Sequence, residues 1–245
     1  MIPPPPPGPA GPPPRRPRRA LLLLAIPLLA ALALLLPRAV VLPARWDPFA
    51  PLDLRDAPGV LTAYKLGRME RDPAACRAAF AASGIPVTRG PEMPPRDGCG
   101  IADPVRLPGP LAYAPSAPLV ACPLAAAWTI YERHGLQPAA AALGTRVTGV
   151  RHLGAYNCRN VNHAARGNRS RHATGMALDV AAFTLADGRT IGLPRDWDAP
   201  DGRGAFLRAA RDGACRVFGA VLGPEFNALH RDHFHFERGG WGTCR

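Results

Sequence analysis

Two short stretches of this chain place metal-ligating residue types at a spacing that suits a single ion. The first is Ser170-Arg-His172-Ala-Thr-Gly175-Met-Ala177-Leu-Asp179, and the second is His230-Arg-Asp232-His233-Phe-His235-Phe-Glu237. Zinc takes about four ligands in a tetrahedron, drawn from imidazole nitrogen, thiolate sulfur and carboxylate oxygen, and a catalytic site leaves one position to water. His172 falls in a tight turn that Gly175 permits, and Asp179 on the strand that follows. His233 and His235 are two residues apart, so an extended strand aims both imidazoles to one side. Two histidines and one aspartate, with a further imidazole alongside, are therefore expected to hold one Zn2+ ion in an open site. A lone His–Asp spacing would mean little among seven histidines. Its weight comes from the fixed offsets of Ser, Gly and Ala around it and from the His-x-His that accompanies it. The same ligands also suit a closed site that only holds a fold, so catalysis does not follow from them alone.

The cysteines are the softer ligand set, and their placement points elsewhere. Cys76, Cys99, Cys122, Cys158, Cys215 and Cys244 include no C-x-x-C pair, which argues against a zinc ribbon or a thioredoxin-type redox site. An even, scattered set is the pattern of structural disulfides in an oxidising compartment. Closing the shortest loops pairs Cys76 with Cys99 and Cys215 with Cys244, leaving Cys122 for Cys158. The net charge of +12 is concentrated at the start: residues 1–45 hold six arginines and no acidic residue. Lys65 is the one lysine, and the abundance of Arg, Ala, Pro and Gly looks like a codon bias. With no basic helix carrying interleaved aromatics, nucleic acid is not an expected partner. An anionic wall polymer is compatible with the remaining charge.

The elements that must position these residues read as an α+β domain, a small antiparallel sheet with flanking helices. Helical patterning covers 70–83 and Pro123–His134, the second with proline in its first turn. Thr145–Leu153 reads as a strand. Ala177–Leu185 and Arg189–Leu193 read as a hairpin through Asp187-Gly188. Gly204–Leu222 spaces Phe206, Leu207, Ala210, Ala214, Val217, Phe218 and Val221 as one helix face. His233–Glu237 reads as a short strand.

Upstream, residues 1–19 form a Pro/Gly tract ending in Arg-Arg-Pro-Arg-Arg, which cannot pack a core. Residues 20–36 are apolar and reach roughly 26 Å as a helix, the short end of what spans a bilayer. The arginines before them favour a cytoplasmic tail, with the domain outside. An uncleaved anchor is preferred to a cleaved signal, because the apolar run is long for a signal and no small-x-small site follows it. Residues 37–65 read as a proline-rich linker, and 66–245 as the domain.

Residues from about 66 onward resemble the bacterial extensin-like C-terminal domain family. The resemblance lies in Tyr156-Asn-Cys158-Arg159, the Ser170–Asp179 motif, Ala-Asp-Gly-Arg at 186–189, Phe206-Leu-Arg, Asp-Gly-Ala-Cys215, Leu-Gly-Pro-Glu-Phe-Asn227 and His233-Phe-His235. More broadly, Ser-x-His-x-x-Gly-x-Ala-x-Asp followed by His-x-His is similar to the LAS-type zinc peptidases, which include D-Ala-D-Ala metallopeptidases and the hedgehog domain. That resemblance implies a hedgehog/D-Ala-D-Ala-peptidase-like fold with His172, Asp179 and His235 on zinc. It implies a peptidase acting on peptidoglycan stem peptides, which the anchor at 20–36 would place at the inner membrane, single-pass, with the domain in the periplasm. His233 is implied as the base, with Asp232 behind it or as the alternative base. Arg159 matches an arginine near the substrate in D-Ala-D-Ala relatives, where its planar fork suits a peptide carboxylate. Ser170 would hydrogen-bond the substrate or the site's own turn. The competing expectation is a non-catalytic envelope protein that uses the same fold to bind wall material or a protein.

Overall fold

The computed structural model describes Met1, residues 25–32, 42–240 and 242–245. The expected tail at 1–19, beyond Met1, and both ends of the expected span at 20–36 lie outside the described residues. Residues 25–32 are helical (α1), and among the described residues no helix is long and apolar enough to cross a membrane. The chain divides into two compact units, Met1–Pro43 and Ala44–Arg245, and the second carries all that follows.

Residues 44–65, expected as a linker, belong to that second unit. Leu52 and Leu54 are buried, and the Leu54 amide donates to Ser83 Oγ at 2.7 Å. Lys65, itself buried, donates from Nζ to the Ala44 carbonyl at 2.7 Å. Two isolated leucines among prolines make no periodic pattern, so their burial leaves no mark in the sequence. Helix α2, Thr62–Met69, then buries Leu66 and Met69.

Helix α3, Pro73–Ser83, starts where Asp72 Oδ1 accepts from the Ala74 amide at 2.9 Å and stops at left-handed Gly84. Helix α4, Cys122–Tyr131, is buried on nearly every side; Leu124, Trp128, Ile130 and Tyr131 are its large core residues. Instead of ending near His134 it passes into a π-turn, Glu132–Leu136, and then α5, Gln137–Ala141. Helix α6, Arg203–Cys215, crosses the π-turn so closely that a Cβ on Gly213 would lie 2.6 Å from Gly135 Cα.

The expected helix over 204–222 is therefore corrected beyond Cys215. Val221 enters a strand, and Gly219 is pressed against Gly240, where a Cβ would meet the Gly240 nitrogen at 2.6 Å. Apolar spacing cannot separate the end of a helix from a short buried strand.

The strands in chain order are β1 Met93–Arg96, β2 Cys99–Ile101, β3 Pro104–Arg106, β4 Ala112–Ala114, β5 Leu119–Ala121, β6 Val147–Gly154, β7 Ala177–Leu185, β8 Thr190–Gly192, β9 Ala220–Leu222, β10 Phe234–Glu237 and β11 Thr243–Cys244. The main sheet runs β11-β9-β10-β7-β6-β4, with β8 also on β7. Its centre is antiparallel, but β4–β6 and β9–β11 are parallel, so the expected antiparallel sheet is mixed at its margins. The α+β class stands. Strand β7 shares one edge between two partners, β10 along 177–180 and β8 along 182–184.

Three disulfides form: Cys76–Cys122, Cys99–Cys158 and Cys215–Cys244. The Cys215–Cys244 pairing was expected. The other two pairings are corrected, because α3 lies against α4 and brings Cys76 to the buried Cys122, a neighbour in space rather than in sequence. Removing the Cys76–Cys122 bridge by a double alanine substitution is expected to cost about 4 kcal/mol, from the entropy of closing its loop in the unfolded chain. Equilibrium urea unfolding checks this, and an unchanged midpoint would refute it.

Glu132 is the one core carboxylate on the π-turn. It is buried, its carboxylate makes no hydrogen bond among the described residues, and burial pushes its carboxyl up to about 7. A folded acid that holds its proton more tightly than the unfolded chain loses stability as pH rises from about 4.5 to about 7. Glu132→Gln should therefore gain on wild type across that window, by roughly 2 kcal/mol at pH 8, and match it near pH 4. Thermal melts of both proteins across pH test this; a pH-independent difference would contradict it.

Candidate metal centre

Strand β10 alternates: Phe234 and Phe236 enter the core, while His235 and Glu237 take the opposite face. Phe236 stacks on Phe218 with ring centroids 5.2 Å apart, which fixes which face is which. On β7, Leu178 and Val180 likewise enter the core and leave Asp179 on the far face. The β10–β7 register then pairs His235 directly with Asp179. Cross-strand partners have Cβ atoms about 5 Å apart, so the sheet itself delivers two donors to one point.

The third comes from a 3-10 turn, Arg171–Thr174. Ser170 caps it, its Oγ accepting from the His172 amide at 3.3 Å, and left-handed Gly175 closes it. A Cβ at Gly175 would sit 2.8 Å from Ile101 Cδ1 and 3.0 Å from the Ala121 nitrogen, so both backbone conformation and space demand glycine. Buried His172 donates from Nδ1 to the Ala155 carbonyl at 3.1 Å, which leaves Nε2 facing the strands. His172 Nε2 lies 3.2 Å from Asp179 Oδ2 and 3.2 Å from His235 Nδ1, and His235 Nδ1 lies 2.9 Å from Asp179 Oδ1. One ligand atom from each residue falls within 4.8 Å of the others.

This donor set fits a zinc ion. With His172 Nδ1 and His235 Nε2 turned to acceptors behind them, two ring nitrogens and a carboxylate oxygen converge, and a shared cation satisfies all three. Without a cation, a proton does the same work. Burial opposes charge on His235, but the hydrogen bonds it donates to Asp179 and Glu237 outweigh it and raise the imidazole to about 9. Burial likewise opposes the Asp179 carboxylate, and its bonds to His172 and His235 win, holding it below the usual range.

His233 precedes β10 and turns to the same side. Its Nδ1 is 2.9 Å from Asp232 Oδ1, and its Nε2 faces Asp179 Oδ1 at 3.6 Å. Asp232 is behind it, its side chain 64% exposed against 13% for His233. The pair thus has the order the sequence suggested, imidazole toward the cluster and carboxylate outside. Ser170 is buried under the turn it caps, so of its two expected roles the geometry matches the second. The side chain of half-buried Arg159 makes one hydrogen bond, from Nη1 to the Asn160 carbonyl at 3.3 Å, and no carboxylate pairs with it among the described residues. The Cys99–Cys158 bridge ties its loop to β2.

His230 ends the 3-10 turn Ala228–His230 and stands beside the site. Its ring is 5.4 Å from that of His233 and 5.7 Å from that of His235, with Phe226 against its other side. Its Nδ1 contacts Asn227 Oδ1 at 2.8 Å, and burial beside the other two imidazoles pushes it down to about 4. Neutral His230 thus adds a third ring to the wall beside the cluster. The clue was a third histidine in the six residues ending at His235; nothing local showed the chain turning back there. His163 is exposed.

Neither curated proteins nor solved structures give a match to this chain. A family model does, extensin-like protein C-terminus, over residues 74–245. That span takes in α3 onward, all three disulfides and every residue of the cluster, and on it the chain belongs to the family of extensin-like protein C-terminal domains.

Proposed function

We propose that this chain is a zinc metallopeptidase hydrolysing peptide bonds in peptidoglycan stem peptides, held at the inner membrane by residues 20–36 with its domain in the periplasm. One observation carries the reading. The convergence of His172, Asp179 and His235 is accompanied by His233, whose outward ring nitrogen is engaged by Asp232 and whose inner one faces the cluster. A purely structural site has no use for that fourth residue, an oriented imidazole.

The chemistry a bound zinc supplies is Lewis-acid activation of water and of a peptide carbonyl. His233, donating from Nδ1 to Asp232, has Nε2 free to take a proton from the attacking water and pass it to the leaving amine. Arg159, a guanidinium without an internal carboxylate, suits the terminal carboxylate of a wall peptide. The likeness of both motifs to LAS-type zinc peptidases supports the activity and a hedgehog/D-Ala-D-Ala-peptidase-like architecture. The three disulfides suit an oxidising compartment, and the Arg-rich tail before an apolar run suits the proposed orientation.

The deciding experiment incubates the zinc-loaded protein with sacculi and with isolated muropeptides. New amino or carboxyl termini in the products support the peptidase. Muropeptides left unchanged by a protein that still binds sacculi would overturn it in favour of a wall-binding envelope protein.

A further inference from the structure

Glu237 lies two residues beyond His235 on the same face of β10 and is outside the donor cluster. Its Oε2 is 3.1 Å from His235 Nε2, the ring nitrogen turned away from His172 and Asp179. Its Oε1 faces Arg171 Nε at 3.6 Å, and Arg171 Nη2 donates to the Gly239 carbonyl at 2.7 Å. A Cβ at Gly239 would approach that guanidinium to 2.9 Å, so glycine leaves the room the arginine occupies. Arg171 is the chain neighbour of His172. One carboxylate thus joins the back of His235 to the turn that carries the other histidine.

An imidazole that ligates through one nitrogen keeps its proton on the other, and the partner of that proton fixes both tautomer and ring orientation. For His172 the partner is a backbone carbonyl. For His235 it is a charged carboxylate, the stronger acceptor. We propose that Glu237, held by Arg171, is a positioning residue that keeps the Nδ1 lone pair of His235 directed into the cluster and so sets the affinity of the site for zinc. This rests on the zinc reading above and adds what governs its strength.

The test compares wild type, Glu237→Gln and Glu237→Ala in zinc titrations against a competing chelator. Nitrogen-15 NMR of the zinc-loaded proteins observes the imidazole N–H protons. Wild type should bind one zinc ion and show a slowly exchanging His235 Nε2 proton. Glu237→Ala should lose that signal and weaken zinc binding roughly 10- to 100-fold. Glu237→Gln, which keeps an acceptor but no charge, should fall between. The Gln variant is isosteric and keeps the question open to measurement if the Ala variant unfolds. Zinc affinity within about twofold of wild type in both variants, with the proton signal intact, overturns the inference and leaves the zinc site standing. Failure of wild type to bind zinc overturns the zinc reading itself.

Discussion

Asp179→Ala protein is expected to purify folded and without zinc, while wild type holds one ion per chain. Asp179 is the only anionic donor in the cluster and sits opposite His235 across the β10–β7 pair. Its loss removes a ligand and the charge that offsets the ion, so affinity should fall at least about 10²-fold, beyond what outer contacts cost. Zinc analysis of dialysed protein measures this, and undiminished zinc would end the site argument. The pH dependence has a definite sign. In metal-free protein His235 is raised from 6.5 to about 9, so its protonated form lends stability below pH 6.5 that fades as pH climbs to about 9. Zinc must displace that proton from Nδ1, so its stabilising effect should grow over the same interval. The melting-temperature difference between zinc-loaded and chelator-treated protein should therefore be larger at pH 9 than at pH 6.5. A constant difference would mean that His235 is not a ligand.

His233→Ala should have the opposite profile: zinc retained, hydrolysis lost. The side chain touches Asp179 only at 3.6 Å through Nε2 and contributes no atom to the ligand triad. Removing a positioned proton acceptor typically costs 10²- to 10⁴-fold in rate, and that range is expected for turnover of a muropeptide. Asp232→Asn should cost less, because its carboxylate is mostly exposed and acts through His233. Side-by-side zinc content and product chromatography decide the matter. A His233→Ala enzyme as active as wild type would remove the base assignment, and a zinc-free one would make His233 a ligand.

The triad was legible because its two halves are local patterns. The offsets from Ser170 to Asp179 encode a capped turn entering a strand, and His-x-His encodes strand parity; both depend on short-range geometry alone. The hairpin at Asp187-Gly188 was legible for the same reason, and β7 runs from Ala177 to Leu185 as that turn signal implies. What the sequence hid is set by long-range contact. Cys76 meets Cys122 because α3 packs on α4, and Val221 leaves the helical pattern because a strand waits for it beside β10. The ribbons β1–β2 and β3–β5 were missed because prolines interrupt them. His230 and Glu237 stood in plain view, but their roles appear only once β10 has a partner and a face.

The alternation of Phe234, His235 and Phe236 would make a bound metal a judge of strand alignment. A slip of one residue between β10 and β7 would turn an imidazole into the core and a phenyl ring toward Asp179. The slipped sheet keeps a hydrogen-bond ladder, but it turns Phe234 and Phe236 out of the core and has no place for the ion. Because a ligand stabilises only the state that binds it, by RT ln(1 + [L]/Kd), zinc would favour the correct alignment over its nearest competitor. With the domain in the periplasm as proposed, beyond the reach of cytoplasmic chaperones, the ion would act as a proofreader of the sheet before it acts on any substrate.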